Sequence, residues 1–180
     1  MGKSRRNNIY MRNEKWGIIE KIRIFPAKGE AGIELTEGRL LENLGIEGDF
    51  HTKPGDPSKP EAKQISLMIA GNSRPLNTAG EKGLCTGRFK ENITIRFPEP
   101  PDTSVHMAGE KSGWYEHMKS GLRLSAGEAI LEISGETKRC HEECPLFQAG
   151  EHCSLAGKNL FARVLKGALI HTGDRIGIIH

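Results

Sequence analysis

GLRLSAGEAILEIS, residues 121–134, holds two short apolar stretches, Leu122–Leu124 and Glu128–Ser134, on either side of Gly127. Glycine supplies the backbone freedom of a tight turn, so the segment reads as two strands folded back on each other. The same grammar runs through the rest of the chain. Upstream, Asn92–Phe97 alternates apolar and polar residues, and Gln64–Ala70 (QISLMIA) is a compact apolar run of a buried strand. Trp16–Pro26 reads as a half-buried strand stopped by Pro26, and Gly32–Gly38 holds a further short strand. Downstream, Leu160–Leu165 and Arg175–Ile179 read as strands separated by a Gly173–Asp174 turn. The strands are short, close together and not interleaved with crossover helices. This pattern predicts a mainly β fold, a distorted mixed or antiparallel β-barrel with a few short peripheral helices, one of them near Trp114–Lys119. Closing the sheet also removes the edges that so many short strands would expose.

The bulk composition agrees. The 180 residues fit one domain, and 22 glycines and 9 prolines are scattered as punctuation rather than gathered in a tract. Residues 1–15 read as a basic, flexible leader and residues 16–180 as a single barrel domain. The leader has no apolar stretch behind its charges, so it is not a secretory signal. No run of 18 apolar residues exists, which argues against a membrane span. A net charge of +3 suits a small anionic ligand and is too weak to argue for nucleic acid. The expected location is the cytoplasm, where disulfides are not the default use of cysteine.

Three of the four cysteines, Cys140, Cys144 and Cys153, fall within fourteen residues, a density that points to chemistry or to metal binding. Cys140 stands beside Lys138, Arg139 and His141, and neighbouring positive charge favours thiolate. A thiolate attacks sulfane sulfur, carries a persulfide or ligates a soft metal. Cys144 and Cys153 are candidate resolving thiols or local supports of the loop. Zinc held by these cysteines with His141 or His152 is the competing use, although C-x3-C-x8-C lacks the paired knuckles of specific zinc sites. Cys85 reads as a small core residue.

Other polar residues offer ligand contacts. Arg88 suits a phosphate or carboxylate, and the donor and acceptor of Asn92 suit the edge of a heterocycle. Each has a plainer use, Arg88 as a solvated loop charge and Asn92 as a turn cap. His51 is a candidate acid–base group or ligand, just past a Gly48–Asp49 turn in which Asp49 anchors the backbone.

Five pieces, in order, resemble the molybdenum cofactor sulfurase C-terminal (MOSC) domain family: IEGDFH at 46–51, KQISLM at 63–68, GLCTGRFKENITI at 83–95, KRCHEEC at 138–144 and FARVLKGALIHTGDRI at 161–176. The resemblance spans residues 16 to 179 and makes the chain look like a small standalone member. It implies a distorted barrel with a pocket for the pterin-based molybdenum cofactor. It places the family's cysteine at Cys140, as sulfur carrier or molybdenum ligand. Arg88, Lys138 and Arg139 are then the expected phosphate holders, with Asn92, His51 and Lys63 as further cofactor contacts. Lys63 stands where many relatives have Arg, and Lys90 where many have Gly or Ala. The chain lacks the room for a pyridoxal phosphate desulfurase domain and shows no ferredoxin-like cysteine set. A separate sulfur donor or electron donor protein is therefore the expected partner. Family members differ in chemistry, so two activities stay open: sulfur carriage and transfer, or molybdenum-dependent reduction of N-hydroxylated compounds. A non-enzymatic, zinc-stabilised binding module is the third reading.

Overall fold

The computed structural model describes residues 16–52, 63–70, 89–97, 118–135, 141–150 and 159–179. Seven strands close a barrel: β1 (Trp16–Ile24), β5 (Ile65–Ile69), β6 (Ile93–Arg96), β7 (Arg123–Ala126), β8 (Ala129–Ile133), β9 (Asn159–Lys166) and β11 (Arg175–Ile179). Around the barrel the order is β1-β11-β7-β8-β9-β5-β6, and β6 returns to β1. Every neighbouring pair is antiparallel except β5 and β6, which run parallel. The barrel is thus mixed, one of the two arrangements expected from its short, turn-punctuated strands.

The Gly127 hairpin forms as read, with Leu124 opposite Leu131 and Ala126 opposite Ala129. Its alternation sends Ala129, Leu131 and Ile133 inward and leaves Ile130 and Glu132 half-buried outside. β5 is buried at every position, which is why its sequence is a continuous apolar run rather than an alternating one. The interior is filled by β-branched and leucine side chains, among them Ile19, Ile22, Leu67, Ile93, Ile95, Leu124, Leu131 and Ile133, all essentially without solvent exposure. A barrel of this size is a packed core and not a channel.

β1 owes its nine residues to serving three neighbours in succession. Trp16–Ile18 pair with β11, Ile18–Ile22 with β6, and Ile22–Ile24 with the short β2 (Ile33–Leu35). The sequence expectation of one strand in 32–38 becomes two, β2 and β3 (Glu37–Leu41), broken at Thr36. β3 joins β10 (Leu169–His171) and β4 (Gly45–Ile46) in a second, three-stranded sheet. This sheet closes onto the barrel: Leu40, Ile46 and Ile170 belong to the same apolar core, and Leu40 N donates to Ala168 O at 2.8 Å. Gly45 lies inside this sheet at φ +134°, and a Cβ there would stand 2.9 Å from the Gln64 carbonyl oxygen. One helical turn, α1 (Pro145–Gln148), follows Cys144 where the sequence reads as loop. The helix expected near Trp114 falls mostly outside the described residues, as does the leader. No helix among the described residues is long and apolar enough to cross a membrane.

Candidate functional site: an aspartate wired into the barrel and its histidine

The turn after β4 carries a dense polar arrangement. Gly48 takes φ +83°, the left-handed conformation that favours glycine, and turns Asp49 back under β1. The Asp49 side chain is 2% exposed, whereas the His51 side chain, two residues on, is 58% exposed. A buried carboxylate is tolerable only when its lone pairs are met, and here three N–H donors and an imidazole nitrogen surround it. Oδ2 accepts from Phe25 N and from Asn92 Nδ2, both at 2.9 Å. Oδ1 accepts from His51 N at 2.9 Å and lies 2.9 Å from His51 Nδ1. The sequence reading of Asp49 as a turn anchor describes only the His51 N bond. The other bonds tie the turn to β1 and to the start of β6.

Asn92 is the hub of this network. Its Nδ2 also donates to Arg23 O at 3.2 Å, and its Oδ1 accepts from Ser66 N at 3.0 Å and Ser66 Oγ at 2.8 Å. Both donors of the amide are therefore used inside the protein, and its oxygen accepts from Ser66 N and shares the single Ser66 hydroxyl proton with Lys90 O. A contact from this amide to a ligand would have to break one of them, so Asn92 acts as wiring between β1, β5, β6 and the Asp49 turn. Ser66, a lone hydroxyl in an apolar run, is the residue that sequence reasoning missed. Its position in a strand buried on both faces is the signal that it must have a partner. Gln64, equally buried, accepts from Val164 N and donates to Asn43 O, both at 2.9 Å, so β9 and the β3–β4 turn are joined at the same end.

The flanking charges are also committed. Arg23 pairs with Glu91 at 2.6 Å and more loosely with Glu34. Lys90 Nζ donates to Glu30 O at 2.9 Å and lies over the Phe25 ring, 4.9 Å from its centroid. Lys63 Nζ stands over Phe161, 5.4 Å from its centroid. Phe161 itself faces Ser66 across the β5–β9 ladder, and Ser134 N donates to Phe161 O at 2.9 Å. Asn92, Ser66, Phe161 and Ser134 thus form one lateral row across β6, β5, β9 and β8. Three inter-strand spacings separate its ends by about 14 Å along the sheet.

Of the expected site residues, the structure brings Asn92 and His51 together through Asp49 and sets Lys63 along the same row. Cys144 is buried and directly precedes α1, its N donating to His141 O at 3.0 Å. Cys140, Cys153, Arg88, Lys138 and Arg139 lie outside the described residues, as does Cys85. Among the described residues no group of three or more His, Cys, Asp or Glu side chains is arranged to hold a metal ion.

No protein-family model matches the chain, and no curated protein matches it. Solved structures do. The YuaD protein from Bacillus subtilis is 18% identical, with 91% of this chain and 95% of that one covered at a TM-score of 0.52. A hypothetical protein of known structure is 13% identical over 93% of this chain and 70% of its own, at a TM-score of 0.55. YiiM from Escherichia coli aligns over 93% of this chain and 69% of its own at 12% identity and a TM-score of 0.48. At such identities the likeness is one of fold: the first two place this barrel among architectures already seen in crystals.

Proposed function

We propose that the chain is a molybdenum cofactor-binding protein of the MOSC type, with Cys140 as the thiolate that carries sulfur or ligates molybdenum. One observation supports this reading above the others. The sequence pieces that resemble the family are far apart along the chain, yet Asp49 of IEGDFH, Ser66 of KQISLM and Asn92 of KENITI share one hydrogen-bond network. Phe161 adds the start of a fourth piece to the same row, and the chain leaves β8 for the cysteine segment directly after it.

The donor set suits the cofactor. Thiolate is a soft ligand for molybdenum or an acceptor for sulfane sulfur, and guanidinium at Arg88 and Arg139, with Lys138, suits the phosphate. His51 stands exposed at the wired end, able to meet the pterin, and Lys63 stands over Phe161 of the same row. Asn92 belongs behind these residues as the support of Asp49. When bound, the cofactor supplies the redox or sulfur chemistry, and the protein supplies position and charge. Sulfur or electrons then come from a separate protein.

Metal and pterin content decide the matter, measured on the native protein and on Cys140→Ser from a molybdate-fed host. Near-stoichiometric molybdenum with pterin, lost in the variant, is the expected result, and an assay for reduction of N-hydroxylated compounds then separates reduction from sulfur transfer. Zinc without pterin would overturn the proposal in favour of a zinc-stabilised module.

A further inference from the structure

We propose that the Ser66–Asn92–Asp49 chain locks the neutral His51 ring in its Nδ1–H tautomer, leaving Nε2 as a lone-pair acceptor for the N–H edge of a heterocyclic ligand and not for an anion. The inference rests on the proposed function for the identity of the ligand, but not for the tautomer.

The tautomer follows from counting donors. Asp49 Oδ2 is held by Phe25 N and Asn92 Nδ2, and Oδ1 by His51 N, three groups that can only donate. A carboxylate has only lone pairs to offer, so the fourth neighbour, Nδ1 at 2.9 Å, must bring a proton. A neutral imidazole protonated at Nδ1 carries its lone pair on Nε2. The ring is more than half exposed, so that lone pair belongs to an atom a ligand can approach. An ionised oxyanion oxygen only accepts, and the one N–H of the neutral ring already faces Asp49. The amino and ring N–H groups of a pterin are donors and find an acceptor. Asn92 and Asp49 are positioning residues in this scheme: Asn92 holds Oδ2, and Asp49 orients the ring by accepting from the Nδ1–H edge that faces it.

Asp49→Asn tests the wiring without changing its shape. Phe25 N and Asn92 Nδ2, two donors against the one of His51 N, select the amide oxygen of the new side chain, and His51 N loses its acceptor. The amide nitrogen is then forced against Nδ1 and must donate to it, and the ring proton moves to Nε2. The experiment uses the full chain, free of cofactor and labelled with 15N-histidine, at a pH where the ring is neutral. Two-bond 1H–15N correlation is expected to show a pyrrole-type Nδ1 and a pyridine-type Nε2 for His51 in the wild type, exchanged in Asp49→Asn. A wild-type ring with its proton on Nε2 overturns the proposal even if the variant does not fold. Biopterin is expected to shift the wild-type Nε2 resonance and to bind at least tenfold more weakly to Asp49→Asn, whereas sulfate, an anion with no O–H to donate, leaves the resonance unmoved. A shift with sulfate, or none with biopterin, overturns the ligand assignment. Absence of molybdenum from the native protein would remove the cofactor reading and leave the tautomer result standing, so the two failures are distinguishable.

Discussion

Two polar rows cross the strands of this barrel, and they do different work. One is the buried set of Asp49, Asn92 and Ser66. The other lies on the outer face, where Glu132 of β8 sits between its register partners Arg123 of β7 and Arg163 of β9 and pairs with both. Each row joins three segments through a central side chain. In the buried row each side chain has partners within 3.2 Å, and removing one leaves others stranded away from water. In the outer row water stands in for whatever is removed, so the same number of contacts carries far less free energy. The comparison teaches that the site end of the barrel is held by hydrogen-bond saturation, whereas the outer face is only trimmed by charge.

Asn92→Ala breaks this comparison most severely. It strands Ser66 N and takes one donor from Asp49, and we expect a loss of about 3 kcal/mol in denaturant unfolding. A loss under about 1 kcal/mol would mean that the buried row is no stronger than the outer one. Glu132→Gln sharpens the contrast from the other side, with an expected cost below about 1 kcal/mol. Its pH dependence has a definite sign. The hydrogen bond from Arg163 holds the Glu132 carboxyl below its ordinary value. The stabilisation is therefore fully present above the unfolded-state value, about 4.3, and is lost as pH falls through the lowered folded value. The wild type should lose its small advantage over Glu132→Gln in acid, as thermal melts between neutral and acid pH would show, and a gap that widens toward low pH contradicts the assignment. His51→Ala should have the smallest effect on stability, within about 0.5 kcal/mol, since the ring is largely exposed and water takes its place at Asp49 Oδ1. Its expected loss appears in pterin content of the isolated protein, and a variant that keeps full pterin content removes His51 from the site.

Part of this was open to reading from the residues. Alternation in Asn92–Phe97 and the Gly127 punctuation identify β6, β7 and β8, because a period of two is visible wherever one strand face is buried. β4 and β10, with two and three residues, are too short to display a period, and they form only because β3 is there to pair with them. The single turn of α1 is likewise below the length at which helical periodicity registers.

The site divides in the same way. Residue chemistry alone marked His51 beside a glycine–aspartate turn, Asn92 as a donor–acceptor pair, and Asp49 as an anchor. The amino-acid sequence by itself determined that this chain is a closed barrel of short strands, since that follows from local alternation and from glycine and proline placement. Which polar groups face each other was decided only by the tertiary structure. Asp49 and Asn92 are 43 residues apart, and Arg23 and Glu91 are 68 apart. Hydrogen bonds form between groups brought within 3 Å in space, and that proximity is set by how β1, β5 and β6 come together in the barrel, a relation no local pattern encodes.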